Sequence, residues 1–168
     1  MKSLKEYLAE AALPTTTKYI AVIYDDATHE NLRKYCSDNG FDLTVGYSGN
    51  SQDVTDFEFH TTIFYSTSEH KIENRIIPEP PTTVEVIGVD YLGENNDVPV
   101  LKISSTELLE IRDYYISKYN MRDQWGGDYI PHISLSYNRT NLPNIEDIKL
   151  PNFPLVFNMR KIENGSEE

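Results

Sequence analysis

The chain has 168 residues, 39% of them apolar and 11% aromatic, with a mean hydropathy of −0.51, which is enough for one domain with its own core. Its 27 acidic and 15 basic residues give a net charge of −12, a poor match for long DNA or RNA, which are held largely through phosphate neutralisation. No apolar run approaches the ~18 residues of a membrane span, the stretch Met1 to Tyr7 lacks the features of a secretory signal, and the single cysteine, Cys36, permits neither an intrachain disulfide nor a cysteine-built zinc site. A cytoplasmic protein is expected, and any nucleotide it handles should be short.

Ser3 to Leu13 carries Leu4, Tyr7, Leu8 and Ala11 at helical spacing ahead of Pro14 and predicts a short helix. Lys18 to Tyr24, β-branched and aromatic, predicts a strand. Asp25 to Thr28 then supply cap residues for a helix over 28–39 with Leu32, Tyr35 and Cys36 on one face and Gly40 at its C-terminal end. Phe41 to Val45 reads as a further strand, the polar, glycine-bearing stretch 46–56 as a loop, and Glu58 to Tyr65 as a strand.

Pro78-Glu79-Pro80-Pro81 marks a break, dividing a single domain over 1–168 into lobes at about 15–77 and 82–162. Thr82 to Leu92 and Val98 to Ser104 predict two strands joined by a turn over Gly93 to Asp97. A helix capped by Ser105 or Thr106 runs to about Tyr119, with Leu108, Leu109, Ile111, Tyr115 and Ile116 as its apolar side. A loop around Gly126-Gly127 leads to a strand over Tyr129 to Tyr137, with Pro131 near its start, and Phe153 to Ile162 supplies the last strand before a frayed tail. Both halves, 18–65 and 98–137, read strand, helix, histidine-bearing strand: an α+β architecture with pseudo-symmetric order and no residue-level repeat.

Two of the four histidines sit in matched settings, Phe59-His60-Thr61-Thr62 and Pro131-His132-Ile133-Ser134. Period-2 alternation puts His60 with Thr62 on one strand face, opposite Phe59, Thr61, Ile63 and Tyr65, and His132 with Ser134 opposite Ile133, Leu135 and Tyr137. Each strand thereby offers an imidazole and a hydroxyl about 7 Å apart. Imidazole titrates near neutrality, so one of a pair can take a proton while the other gives one, and two hydroxyls can stabilise charge developing on phosphoryl oxygens. Neither His60 nor His132 has the spaced partner of a zinc motif. His29 and His70 have no such setting and read as surface residues.

His60-x-Thr62 and His132-x-Ser134, each followed by an apolar residue, resemble the paired motifs of the 2H phosphoesterase superfamily, most closely its phage anti-CBASS branch of nucleases that degrade cyclic oligonucleotides. The resemblance covers most of the chain. It implies a bilobal, pseudo-symmetric fold of antiparallel sheets with outer helices around a central cleft. It also implies metal-independent cleavage of 3′-5′ bonds in small cyclic nucleotides that signal host defence, with His60, Thr62, His132 and Ser134 as the catalytic residues and no cofactor. RNA ends bearing 2′,3′-cyclic phosphate or 2′-5′ linkages are an alternative substrate, and a module that sequesters a nucleotide without cleaving it is an alternative from another class. Trp125, the only tryptophan, is placed to stack a base, and Tyr24, at the end of its strand, to reach the pocket mouth.

Overall fold

The computed structural model describes residues 17–46, 48–67, 73–123 and 128–164. In chain order its elements are β1 (Thr17–Tyr24), α1 (Asp26–Asp38), β2 (His60–Thr67), β3 (Arg75–Leu92), β4 (Val98–Ser104), α2 (Thr106–Tyr119), β5 (Arg122–Asp123), β6 (His132–Ser134) and β7 (Leu155–Asn164). Single 3₁₀ turns lie at Val54–Asp56 and Ile145–Asp147. The strands form one sheet in the order β5-β2-β1-β7-β3-β4-β6, every neighbouring pair antiparallel. The expected α+β class is therefore observed, as a single antiparallel sheet carrying two α-helices among the described residues. The helix expected over Ser3 to Leu13 and the tail beyond 164 lie outside these residues.

Local chemistry sets the helix ends. The Asp25 carboxylate accepts the Thr28 N–H at 2.8 Å and starts α1, and Gly40, at φ 77°, takes the left-handed turn that ends it. The Ser105 hydroxyl accepts the Leu108 N–H at 3.2 Å to start α2, and Asn120 closes it at φ 51°. Both helices lie on one face of the sheet. Leu32, Tyr35 and Cys36 of α1 and Leu108 and Tyr115 of α2 meet Ile20, Val22, Tyr24, Phe59, Ile63, Leu101, Ile103, Ile133 and Phe157 in a continuous core. Leu109 and Ile116, expected on the apolar side of α2, are instead 49% and 41% exposed; α2 buries a narrower stripe than its composition allows.

Three strand expectations change. The proline run does not break the chain but lies inside β3, which is continuous from Arg75 to Leu92. There β3 pairs Pro78 with Met159 and next Thr82 with Phe157, so Glu79, Pro80 and Pro81 bulge past the ladder, where the N–H groups that the two prolines lack cost no ladder bond. Beyond Val84 the strand passes from β7 to β4. Phe41 to Val45 is not a strand: Phe41 and Leu43 are buried, but only Val45 bridges, to Ser51. Alternation there reports a buried side with no neighbouring strand to form a ladder. The strand expected over Tyr129 to Tyr137 shortens to His132–Ser134, with backbone bonds from Ile103 N–H to Pro131 O and from Leu135 N–H to Pro99 O extending the pairing slightly.

The sheet curls. β2 and β6 stand near opposite ends of the strand order, yet their Cα atoms approach within 8 Å, so the ends of the sheet meet.

Candidate active site

Strand register carries both histidine pairs onto the sheet face away from the helices. Phe59 and Ile63, and likewise Ile133 and Leu135, enter the core on the helix side, so His60 with Thr62 and His132 with Ser134 face the other way. His60 lies opposite Ile23 and Thr62 opposite Ala21 on β1, while His132 lies opposite Lys102 and Ser134 opposite Val100 on β4. A bulge modifies the expected alternation in β2. Ile20 pairs with Phe64 and Ala21 with Thr62, which leaves Ile63 unmatched. Ile63 and Phe64 both enter the core, and Tyr65, expected on the face away from His60, falls instead into register with Tyr19 outside the core cluster.

The two imidazoles are held in the same way. His60 Nδ1 lies 3.2 Å from the Glu58 carbonyl and His132 Nδ1 lies 2.7 Å from the Ile130 carbonyl, in each case the residue two positions earlier. A carbonyl can only accept, so both Nδ1 atoms carry hydrogen and both Nε2 atoms carry the lone pair in the neutral ring. His60 is 7% exposed and His132 half-buried. Burial lowers the pKa of each below the usual imidazole value. For His60 the nearby Glu58 opposes that shift while the charges of His132 and Lys161 reinforce it, which puts the two histidines within electrostatic reach of each other. Lys161 itself, 3.1 Å from Glu163 and 4.0 Å from Glu58, loses to burial but is held above the usual lysine value by those carboxylates.

Further residues support the site that sequence reasoning did not single out. The Tyr19 hydroxyl shares a hydrogen bond with Thr62 Oγ1 at 3.2 Å, and its ring lies 6.3 Å from that of His60. Its position on the same β1 face as Ala21 and Ile23 was the available signal. His29, read as a surface residue, is half-buried and tied into the strand: Phe59 N–H donates to its Nε2 at 2.9 Å, and its Nδ1 lies 3.1 Å from the Asp25 carbonyl. It anchors the residue that precedes His60. Tyr24 does not reach an open rim. It is 2% exposed, its hydroxyl bonded to Thr61 Oγ1 at 2.8 Å on the core side, and burial raises its pKa. Trp125 and His70 lie outside the described residues.

An open groove of about 400 Å³ runs between β3 and α2, bordered by Glu79, Glu107, Glu110 and Arg160, and contains neither histidine. Among the described residues no group of three or more His, Cys, Asp or Glu could hold a metal ion, and no helix is long and apolar enough to cross a membrane. Two imidazoles of one tautomer, on one face of the sheet with a hydroxyl two residues beyond each, can move a proton onto and off a reacting oxygen without further groups. A family model described as anti-CBASS protein Acb1 matches residues 16–167. No curated protein matches the chain.

Proposed function

The chain belongs to the anti-CBASS protein Acb1 family, whose name implies counteraction of CBASS cyclic-nucleotide signalling, and from that premise we propose that it cleaves the 3′-5′ phosphodiester bonds of small cyclic nucleotides by two-histidine acid/base catalysis of the 2H phosphoesterase type. The observation that carries this reading is the matched pair of imidazoles, each fixed through Nδ1 to the carbonyl two residues earlier and each beside a strand hydroxyl. One histidine takes the proton of a ribose 2′-hydroxyl, or of a water, as that oxygen attacks phosphorus. The other gives a proton to the departing 5′-oxygen. Attack by the 2′-hydroxyl leaves a 2′,3′-cyclic phosphate and a free 5′-hydroxyl, and the same pair with exchanged roles can then activate water against that ring. Thr62 and Ser134 donate to the non-bridging oxygens, where charge grows in the transition state.

A pair of neutral, buried imidazoles suits the base role directly. The acid role requires a proton, and the negative phosphate of a bound substrate supplies the counter-charge that favours it. No step calls for a metal. The half-molecules β7-β1-β2 and β3-β4-β6, each placing its histidine strand outermost of the three, support reading the fold as two lobes around the cleft. The acidic balance favours a short ligand over long nucleic acid.

The test is incubation with chelator and a panel of cyclic di- and trinucleotides and a 2′,3′-cyclic mononucleotide, read by mass spectrometry. Cyclic oligonucleotides should be opened, and His60→Ala or His132→Ala should each slow turnover at least about 10²-fold, with Thr62→Ala and Ser134→Ala costing less. Cleavage of the mononucleotide alone would move the substrate to RNA ends. Bound but unaltered cyclic nucleotide would identify a sequestering module, and loss of activity with chelator would contradict the two-histidine mechanism.

A further inference from the structure

Where the ends of the sheet meet, β2 and β6 are not ladder partners, so the placement of one histidine strand against the other must be fixed by something else. β5 pairs with β2 only at Ser66 and Thr67, which leaves the preceding outer edge of β2 open. Two side chains occupy it. Tyr129, three residues before His132, donates its hydroxyl to the Thr62 carbonyl at 2.8 Å. Arg112, from α2, donates Nη1 to the adjacent Ile63 carbonyl at 2.8 Å. The Arg112 guanidinium lies 4.3 Å from the centroid of the Tyr129 ring and 4.3 Å from that of Phe64, stacked with both. Successive carbonyls of a regular strand point to opposite edges; the bulge at Ile63 lets two neighbouring ones be met by one stacked pair.

We propose that Arg112 and Tyr129 form a brace across this seam, positioning residues that set the spacing between the His60–Thr62 and His132–Ser134 strands. Neither touches the reacting atoms. Tyr129 grips the backbone of Thr62 and belongs to the segment whose Ile130 carbonyl orients His132, so one ring spans both halves of the catalytic pair. Arg112 holds that ring in place and ties α2 to the same strand. This role rests on the proposed acid/base reading for its effect on rate, but its effect on geometry stands apart from it.

The test compares Tyr129→Phe and Arg112→Met with Tyr35→Phe, which removes a similar tyrosine-to-carbonyl bond, to Lys149 at 2.6 Å, away from both histidine strands. Two quantities are read: kcat on a cyclic dinucleotide, and the NMR titration of His60, whose charged surroundings are Glu58 beside it, His132 on β6 and Lys161 on β7. Loosening the seam separates the histidines and admits water, both of which raise the His60 midpoint. Tyr129→Phe and Arg112→Met are each expected to lower kcat about tenfold or more and to shift that midpoint upward. Because they form one unit, the double variant should be little worse than either alone. Tyr35→Phe should lose thermal stability without moving either quantity. If either quantity in Tyr129→Phe matches the Tyr35→Phe control, the brace is overturned. A wild-type protein that cleaves nothing would defeat the proposed activity and leave the His60 titration, which needs no substrate, to decide the brace.

Discussion

Burial of the two imidazoles gives a pH signature. The pKa values of His60 and His132 both lie below the usual 6.5, and the proposed mechanism requires one ring neutral and one protonated. The bell-shaped profile of kcat/KM, which reports the free enzyme, should therefore peak below about pH 6.5 and fall as pH rises through neutrality. Bound phosphate raises both values, so the kcat profile should sit at higher pH than that of kcat/KM. Steady-state rates between pH 4.5 and 8.5 would show this, and coincident profiles, or a kcat/KM optimum above 7, would contradict it. At the neighbouring residue His29, an acceptor for the Phe59 N–H is at stake. His29→Ala should leave that donor without its partner and cost about 1–3 kcal/mol in urea unfolding, whereas a surface histidine would cost nothing measurable.

Element by element, what could be read in advance follows from which interactions are local. The caps of both helices, Asp25 and Ser105, act through bonds three residues long and were legible in the sequence. Ser105→Ala should accordingly reduce stability by about 1 kcal/mol in denaturant unfolding with kcat unchanged. The apolar alternation that puts His60 and His132 opposite the core was legible for the same reason. The extent of a strand was not, because it depends on a partner distant in sequence. Phe41 and Leu43 alternate as strand residues do and find no ladder, while Pro78 to Pro81 look like a break and are absorbed as a bulge. The bulge at Ile63 is likewise a matter of register with β1. Tyr129 escaped notice because nothing local separates it from eleven other tyrosines.

At the scale of the whole molecule, a net charge of −12 on 168 residues means that the folded state carries repulsion that the expanded chain relieves. Added sodium chloride shortens the screening length, from roughly 30 Å at 0.01 M to about 8 Å at 0.15 M. The melting temperature should therefore rise over that range, and a fall in calorimetric scans would show that local ion pairs such as Lys102–Asp90 and Lys161–Glu163 outweigh the global term.

The position of β7 has a consequence for how the molecule is made. It pairs with β1 on one side and with β3 on the other, and those two strands do not pair with each other. It is also the last of the described strands to leave the ribosome. Until residues 155–164 emerge, the nascent chain holds two groups of strands with no ladder between them, each with an open edge and half of the histidine pair. Assembly must then be late, dominated by distant pairings and correspondingly slow, and a product released before β7 is complete presents two bare edges to the chaperones and proteases of the cell.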